Sequence, residues 1–187
     1  MQRTTLIRYT SAAVACAIIA SPVAPISAQV GGSTGAARTS AAYDADRIVT
    51  QVFLEDLAAI ARNNGDTIVS EGKMGDVSVH AVTPEGLNYI LIGTVCDLPD
   101  YGPGCLGVDF QVRYDADYRV TLENINRANR AFSASKTSRG YNESGGDTVF
   151  ITHYTILDGG QKMGNLSTIL INVLDIAPQV ADIIWPA

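Results

Sequence analysis

The sequence predicts an α+β domain in the order α-β-β-β-α-β-β-α, an antiparallel twisted sheet with helices packed on it. Three observations predict it. A stretch of 3.6-residue periodicity opens the domain, blocks of period-two alternation fill its middle, and a long apolar helical pattern closes it.

Ahead of the domain, Arg3 and Arg8 precede an apolar run from Ala12 to Ala20, which Pro22 and Pro25 break and Ser27-Ala28 end. This is the build of a secretory signal peptide cleaved after Ala28, and the run is too short to span a bilayer. The mature protein is therefore expected in the periplasm or secreted. Cys16 has Ala13 three residues earlier, where a lipid-modified cysteine needs leucine, so it reads as discarded apolar filler. Loss of the leader's two arginines takes the formal charge from −6 to −8. Such a surface repels polyphosphate and anionic lipid, which argues against nucleic-acid binding. The 159 residues after the leader suit one domain. Residues 29–44 are small, polar and aperiodic and read as a flexible tail, with the folded domain at 45–187.

The first helix is carried by Val49, Val52, Phe53, Leu57, Ile60 and Ala61, with Asp46 as N-cap and Asn63-Asn64-Gly65 as stop. Thr67–Glu71 reads as a short extra strand. Val77, Val79 and Ala81 alternate with polar residues, Pro84-Glu85-Gly86 turns, and Tyr89–Val95 is apolar on both faces, as a central strand is. Leu106, Val108, Phe110, Val112 and Tyr114 alternate most cleanly of all. Thr121 caps a second helix to Arg130; a polar hairpin follows, with arms at Phe132–Arg139 and Thr148–Leu157, and Asp158-Gly159-Gly160 ends the sheet.

In the last helix Met163, Leu166, Leu170, Val173, Ala177, Val180 and Ile184 form a seam at steps of three and four. Ile169, Ile171, Leu174, Ile176 and Ile183 stand off that seam, so the helix is apolar around much of its girth. Either it is deeply buried in its own molecule or its outer side, through Ile169, Leu170, Val173, Leu174 and Ile176, meets a second subunit. Asn165, Asn172 and Asp175 argue against a membrane span, and Pro178 is expected to kink or restart the helix.

Cys96 and Cys105, nine apart in an exported chain, read as one disulfide; a metal pair would favour closer spacing and further ligands. Asn124, Asn126 and Asn129 with Arg127 and Arg130 form the densest polar cluster. It can recognise a peptide carboxylate or backbone, or its asparagines, Asn126 and Asn129 above all, can fasten the helix to neighbouring loops. His80 and His153 both fall on predicted strands and could pair as metal ligands or supply a general base. No G-x-S-x-G or H-E-x-x-H accompanies them. Asp115/Asp117 and Asp44/Asp46 read as turn and cap residues rather than a calcium loop. Gly72-Lys73 lacks the upstream glycine of a phosphate loop.

Several of these stretches resemble the YbjN family, whose domains are similar in fold to type III secretion chaperones. They are Thr83-Pro84-Glu85-Gly86, Cys96 and Cys105 with the strand Leu106–Phe110, and Asp158-Gly159-Gly160. The most specific is Ile125-Asn126-Arg127-Ala128-Asn129-Arg130 before Phe132, similar to the family's I-N-x-W-N-R, with Ala128 where members often carry an aromatic. The resemblance spans roughly residues 45–185. It implies a candidate sensory-transduction regulator with no established reaction, and a fold that binds other polypeptides.

The expectation from sequence is thus a non-enzymatic, exported binding module of the bacterial envelope, without cofactor or metal. It would use a sheet face or the groove beside the last helix to hold a peptide, a partner protein or its own copy. The rival is a periplasmic hydrolase using His80 or His153 with nearby aspartates. A third reading, a small-molecule sensor of the envelope, requires an enclosed polar pocket.

Overall fold

Residues 42–186 are described by the computed structural model; the expected leader (1–28) and most of the expected tail (29–44) lie outside the described residues. The first departure from the sequence reading comes at Val49 and Val52. Both are buried as core residues, but in extended backbone. Val49 lies in strand β1 (Ile48–Val49), and Val52 exchanges two backbone hydrogen bonds of 2.9 Å with Cys105. Valine tolerates both conformations, and here the ladder partner decides. Helix α1 therefore begins later, at Leu54–Asn63. Its N-terminus is closed by Asp56, which accepts the Phe53 N–H at 3.0 Å and the Arg47 guanidinium at 2.6 Å. Asp46 is not the N-cap; its carboxylate takes Lys162 at 2.8 Å.

The expected stop holds. Gly65 has φ of +87°, its N–H donates to the Arg62 carbonyl, and the Asp66 N–H donates to that of Ala61. This is the left-handed glycine closure of a helix C-terminus, and it sets Asp66 just beyond the last turn.

Strands β2 (Thr67–Glu71), β3 (Ser78–Val82), β4 (Asn88–Cys96), β5 (Cys105–Asp115), β6 (Lys136–Tyr141) and β7 (Asp147–Ile156) build one antiparallel sheet, ordered β2-β3-β4-β5-β7-β6. Helix α2 (Leu122–Ala131) separates β5 from β6, and Thr121 accepts the Asn124 N–H as the cap. Strand β8 (Gln161–Lys162), unforeseen in the sequence, pairs with β1 and leads directly into helix α3 (Met163–Ile184). Gly160 permits this junction: its φ is +91°, and a Cβ there would come within 2.6 Å of Ile48 Cγ2.

Alternation sorts the sheet into two faces. Val79, Leu91, Phe110 and His153 share a register row on the side packed by α1 and α3. His80, Ile90, Gln111, Thr152 and Lys136 form a row on the other side. All seven seam residues of α3 are buried, against β5, β7, α1 and α2. Leu170, Val173 and Ile176 consequently leave the expected outer interface for the molecule's own core, whereas Ile169 and Leu174 are half-buried and Ile171 is 46 % exposed. The helix has the length and mean hydropathy (1.4) of a membrane span, by length and composition only, and 39 % of that apolar stretch is buried inside the fold. It also runs through Pro178 without ending.

Cys96 and Cys105 face each other across the β4–β5 pair and are joined as a disulfide. Val95 and Asp97, on either side of Cys96, both have φ of +54°. A β-branched residue in that region costs on the order of 1–3 kcal/mol. Closing the short loop contributes about 2.5–3 kcal/mol, which acts against the strain.

Candidate functional site

A cleft of about 440 Å³ opens between α3, the end of α1 and the β3–β4 turn. One wall is the α3 stripe Ile171, Leu174, Asp175 and Pro178, at helical steps of three and four. The opposite wall is the Thr83-Pro84-Glu85 turn with Leu87. It is held by Gly86 N–H to the Thr83 carbonyl (2.9 Å) and Leu87 N–H to Thr83 Oγ1 (3.2 Å). The third side is Asn64 and Asp66, delivered by the closure of α1.

Asp66 is only 7 % exposed. Its Oδ2 accepts the Tyr89 hydroxyl at 2.5 Å and the Asn64 amide at 2.8 Å. Its Oδ1 is buried with no hydrogen-bond partner. Burial first, and then the bonded Asp66, push the Tyr89 phenol well above its ordinary value, so Tyr89 stays the donor. Neither Asp66 nor Asn64 stands out in the sequence. The stop signal at residues 63–65 and the turn motif at 83–86 are the traces that locate them.

The residues singled out from sequence fall elsewhere. Asn129 is a structural anchor: its amide donates to the Thr137 carbonyl (2.9 Å) and its Oδ1 accepts the Thr137 N–H (2.7 Å), pairing α2 with β6 as a strand would. Arg127 donates to the Ile183 carbonyl (2.8 Å) and Asn124 to that of Ile184 (3.2 Å), satisfying the open carbonyls at the end of α3. The chemistry expected for backbone recognition is thus spent within the molecule. Asn126 is exposed rather than buried, and neither it nor Arg130 has a side-chain partner among the described residues. Ala128 is fully buried, so a ring at this position would be a core residue.

His80 and His153 do not meet. They occupy opposite faces of the sheet, with β4 and β5 between their strands. His153 Nδ1 donates to the Ala134 carbonyl at 2.6 Å, and its ring stands edge-on to Phe110 at 6.3 Å. Asp117 takes Arg119 at 2.7 Å and the Trp185 indole N–H at 3.1 Å, while Asp44 accepts the Asp46 N–H. Asp117 and Asp44 thus serve turns, whereas Asp115 is the last residue of β5 and Asp46 pairs with Lys162. Among the described residues no group of three or more His, Cys, Asp or Glu is placed to hold a metal ion.

On the helix-free face, Asp109 lies in register with Ile92 and Tyr154. Burial raises its carboxyl to about 6, against the pull of Arg113, Lys136 and His153.

No family model matches the chain, and neither does any curated protein. Among solved structures it matches YbjN from E. coli, described as a candidate regulator of transcription. The TM-score is 0.55 at 9 % identity, over 72 % of this chain and 91 % of that one. At such identity the likeness shows the fold, which the two chains share.

Two measurements check this assignment of roles. Asn129→Ala leaves both buried backbone groups of Thr137 unpaired and is expected to lose about 1–3 kcal/mol in urea unfolding, whereas Asn126→Ala should stay within about 0.5 kcal/mol. For Asp109, the unfolded carboxyl ionises near pH 4 while the folded one keeps its proton to about 6. Its contribution to stability therefore falls as pH rises through that window and is flat above it. The stability advantage of Asp109→Asn over the parent is expected to grow between pH 4 and pH 7, as followed by unfolding midpoints.

Proposed function

We propose that this YbjN-fold domain is a non-enzymatic binding module that holds a segment of another polypeptide, a further copy of the chain included, in the cleft beside α3. The single observation that carries the reading is the cleft itself. Ile171, Leu174, Leu87, Pro84 and Pro178 offer apolar walls, while Asp66, Glu85 and Asp175 offer acceptors on three sides. Its open mouth suits a side chain carried on a chain more than an enclosed small molecule. The Thr83-Pro84-Glu85-Gly86 turn, part of the family resemblance, contributes one wall. The description of YbjN as a candidate regulator favours a module that binds and signals over one that turns over a substrate. The placement of His80 and His153 on opposite faces of the sheet counts against a site built on the pair. A hydrolase using His80 or His153 alone with nearby aspartates is the alternative that the histidine variants below test.

Binding is tested by screening an array of short peptides with the purified chain and titrating the hits by calorimetry. Ile171→Lys, which puts a long charged side chain on the cleft wall, is expected to weaken binding at least tenfold. His80→Ala and His153→Ala should leave it unchanged. The reverse pattern would move the site off the cleft and revive the histidine reading.

We further propose that the module works outside the cytoplasm, in the periplasm or beyond the cell. The leader-like residues 1–28 and the Cys96–Cys105 disulfide support this, since such bonds persist where thiols are oxidised. Protein expressed with its full N-terminus in a bacterial host is expected in the periplasmic or culture fraction with Gln29 as first residue. An intact Met1 in the cytoplasmic fraction would refute this.

A further inference from the structure

We infer that the cleft beside α3 recognises a basic side chain of its polypeptide ligand, a lysine or arginine whose cation answers Asp66; this rests on the cleft being the binding site. The argument starts from a missing partner. A carboxylate that is 7 % exposed calls for a cation or a full set of donors, and Asp66 has two neutral donors on Oδ2 and none on Oδ1. Among the described residues no Lys, Arg or His is bonded to it.

The rest of the lining repeats the same bias. Glu85 and Asp175 add two carboxylates, and no lining residue is cationic. Pro178 has no N–H, so the carbonyl of Leu174, four residues earlier on the same wall, lacks its usual helical donor. Acceptors thus converge on a space walled by Ile171, Leu174 and Leu87. A lysine or arginine matches both features, with an apolar stem for the walls and donors for the acceptors. Asn64, half-buried beside Asp66 in the lining, is bonded to Oδ2 and leaves Oδ1 without a donor. A metal ion fits less well, for no cluster of three or more metal-ligating side chains gathers among the described residues.

The test uses the full chain and three fluorescein-labelled, end-blocked pentapeptides, Gly-Leu-X-Leu-Gly with X as Lys, Gln or Glu, read by anisotropy. The lysine peptide is expected to bind at least tenfold more tightly than the other two. Asp66→Asn should erase that preference, while Asp158→Asn, an exposed change of equal charge, should keep it. Equal affinity for the Lys and Gln peptides, or an undiminished preference in Asp66→Asn, overturns cation recognition and leaves the peptide-holding reading standing. Failure of the parent to bind any of the three peptides counts against both. Spermidine binding that Asp66→Asn abolishes, in the absence of peptide binding, would make the occupant a free amine and overturn the peptide ligand. Should Asp66→Asn lose its cooperative thermal transition, the surface pair Glu85→Gln with Asp175→Asn replaces it, with a loss of about fivefold for the lysine peptide expected and no loss overturning the inference.

Discussion

The packing of the α3 seam onto one face of the sheet is the constraint from which the remaining arrangement follows. Met163, Leu166, Leu170, Val173, Ala177, Val180 and Ile184 cover a surface made by Val108, Phe110, Val112 and Ile151. Fully burying each such side chain contributes about 1.5–3 kcal/mol, so no single polar contact in the molecule competes with the seam as a whole. Both ends of the helix are then fastened. The first turn is held by Met163 N–H to Arg47 and Gly164 N–H to Ala45, the last by Arg127 and Asn124. A helix fixed at both ends presents its outer stripe, Ile171 to Pro178, at a set position.

That fixed stripe makes the cleft. The closure of α1 brings Asp66 up beneath Tyr89, and the β3–β4 turn supplies the facing wall. Each wall belongs to a different element, and each is rigid for a local reason: a left-handed glycine at 65, a hydrogen-bonded turn at 83–86, a packed seam on α3. A site built on such elements is held better than one built on loop tips. The helix-free face of the sheet, carrying Asp109, Arg113 and Tyr154, is by contrast laced with its own contacts. Arg113 bonds Gln111 and Glu143 and stacks over Phe150 at 5.2 Å.

The polar segment of α2 shows how a recognition-like sequence can be used up inside a fold. Asparagine offers a donor and an acceptor in the geometry of a peptide group, so Asn129 can pair with backbone as well as a strand does. Arginine near a helix C-terminus meets free carbonyls and a favourable dipole. The same properties would serve a foreign peptide. Only the position of β6 and of the end of α3 directs them inward.

Alternation and helical spacing are properties of neighbours in the chain, and they were legible without the structure. The strands Tyr89–Val95 and Leu106–Tyr114, the seam of α3, the Thr121 cap and the glycine stop at 65 all stand where their patterns place them. The outcome for Val49 and Val52 was not legible, because their spacing suits a helix equally well and the choice fell to ladder partners at Gln161 and Cys105. The same holds for the histidines, whose relative faces depend on the pairing register from β3 to β7, and for Asp66, whose neighbours Tyr89 and Leu174 lie far away in sequence. By itself the sequence determined the apolar stripes that form the core and the type and rough extent of the main helices and strands, since periodicity and caps are local. Tertiary structure alone decided which polar groups share a site, since that turns on contacts between segments no local pattern connects.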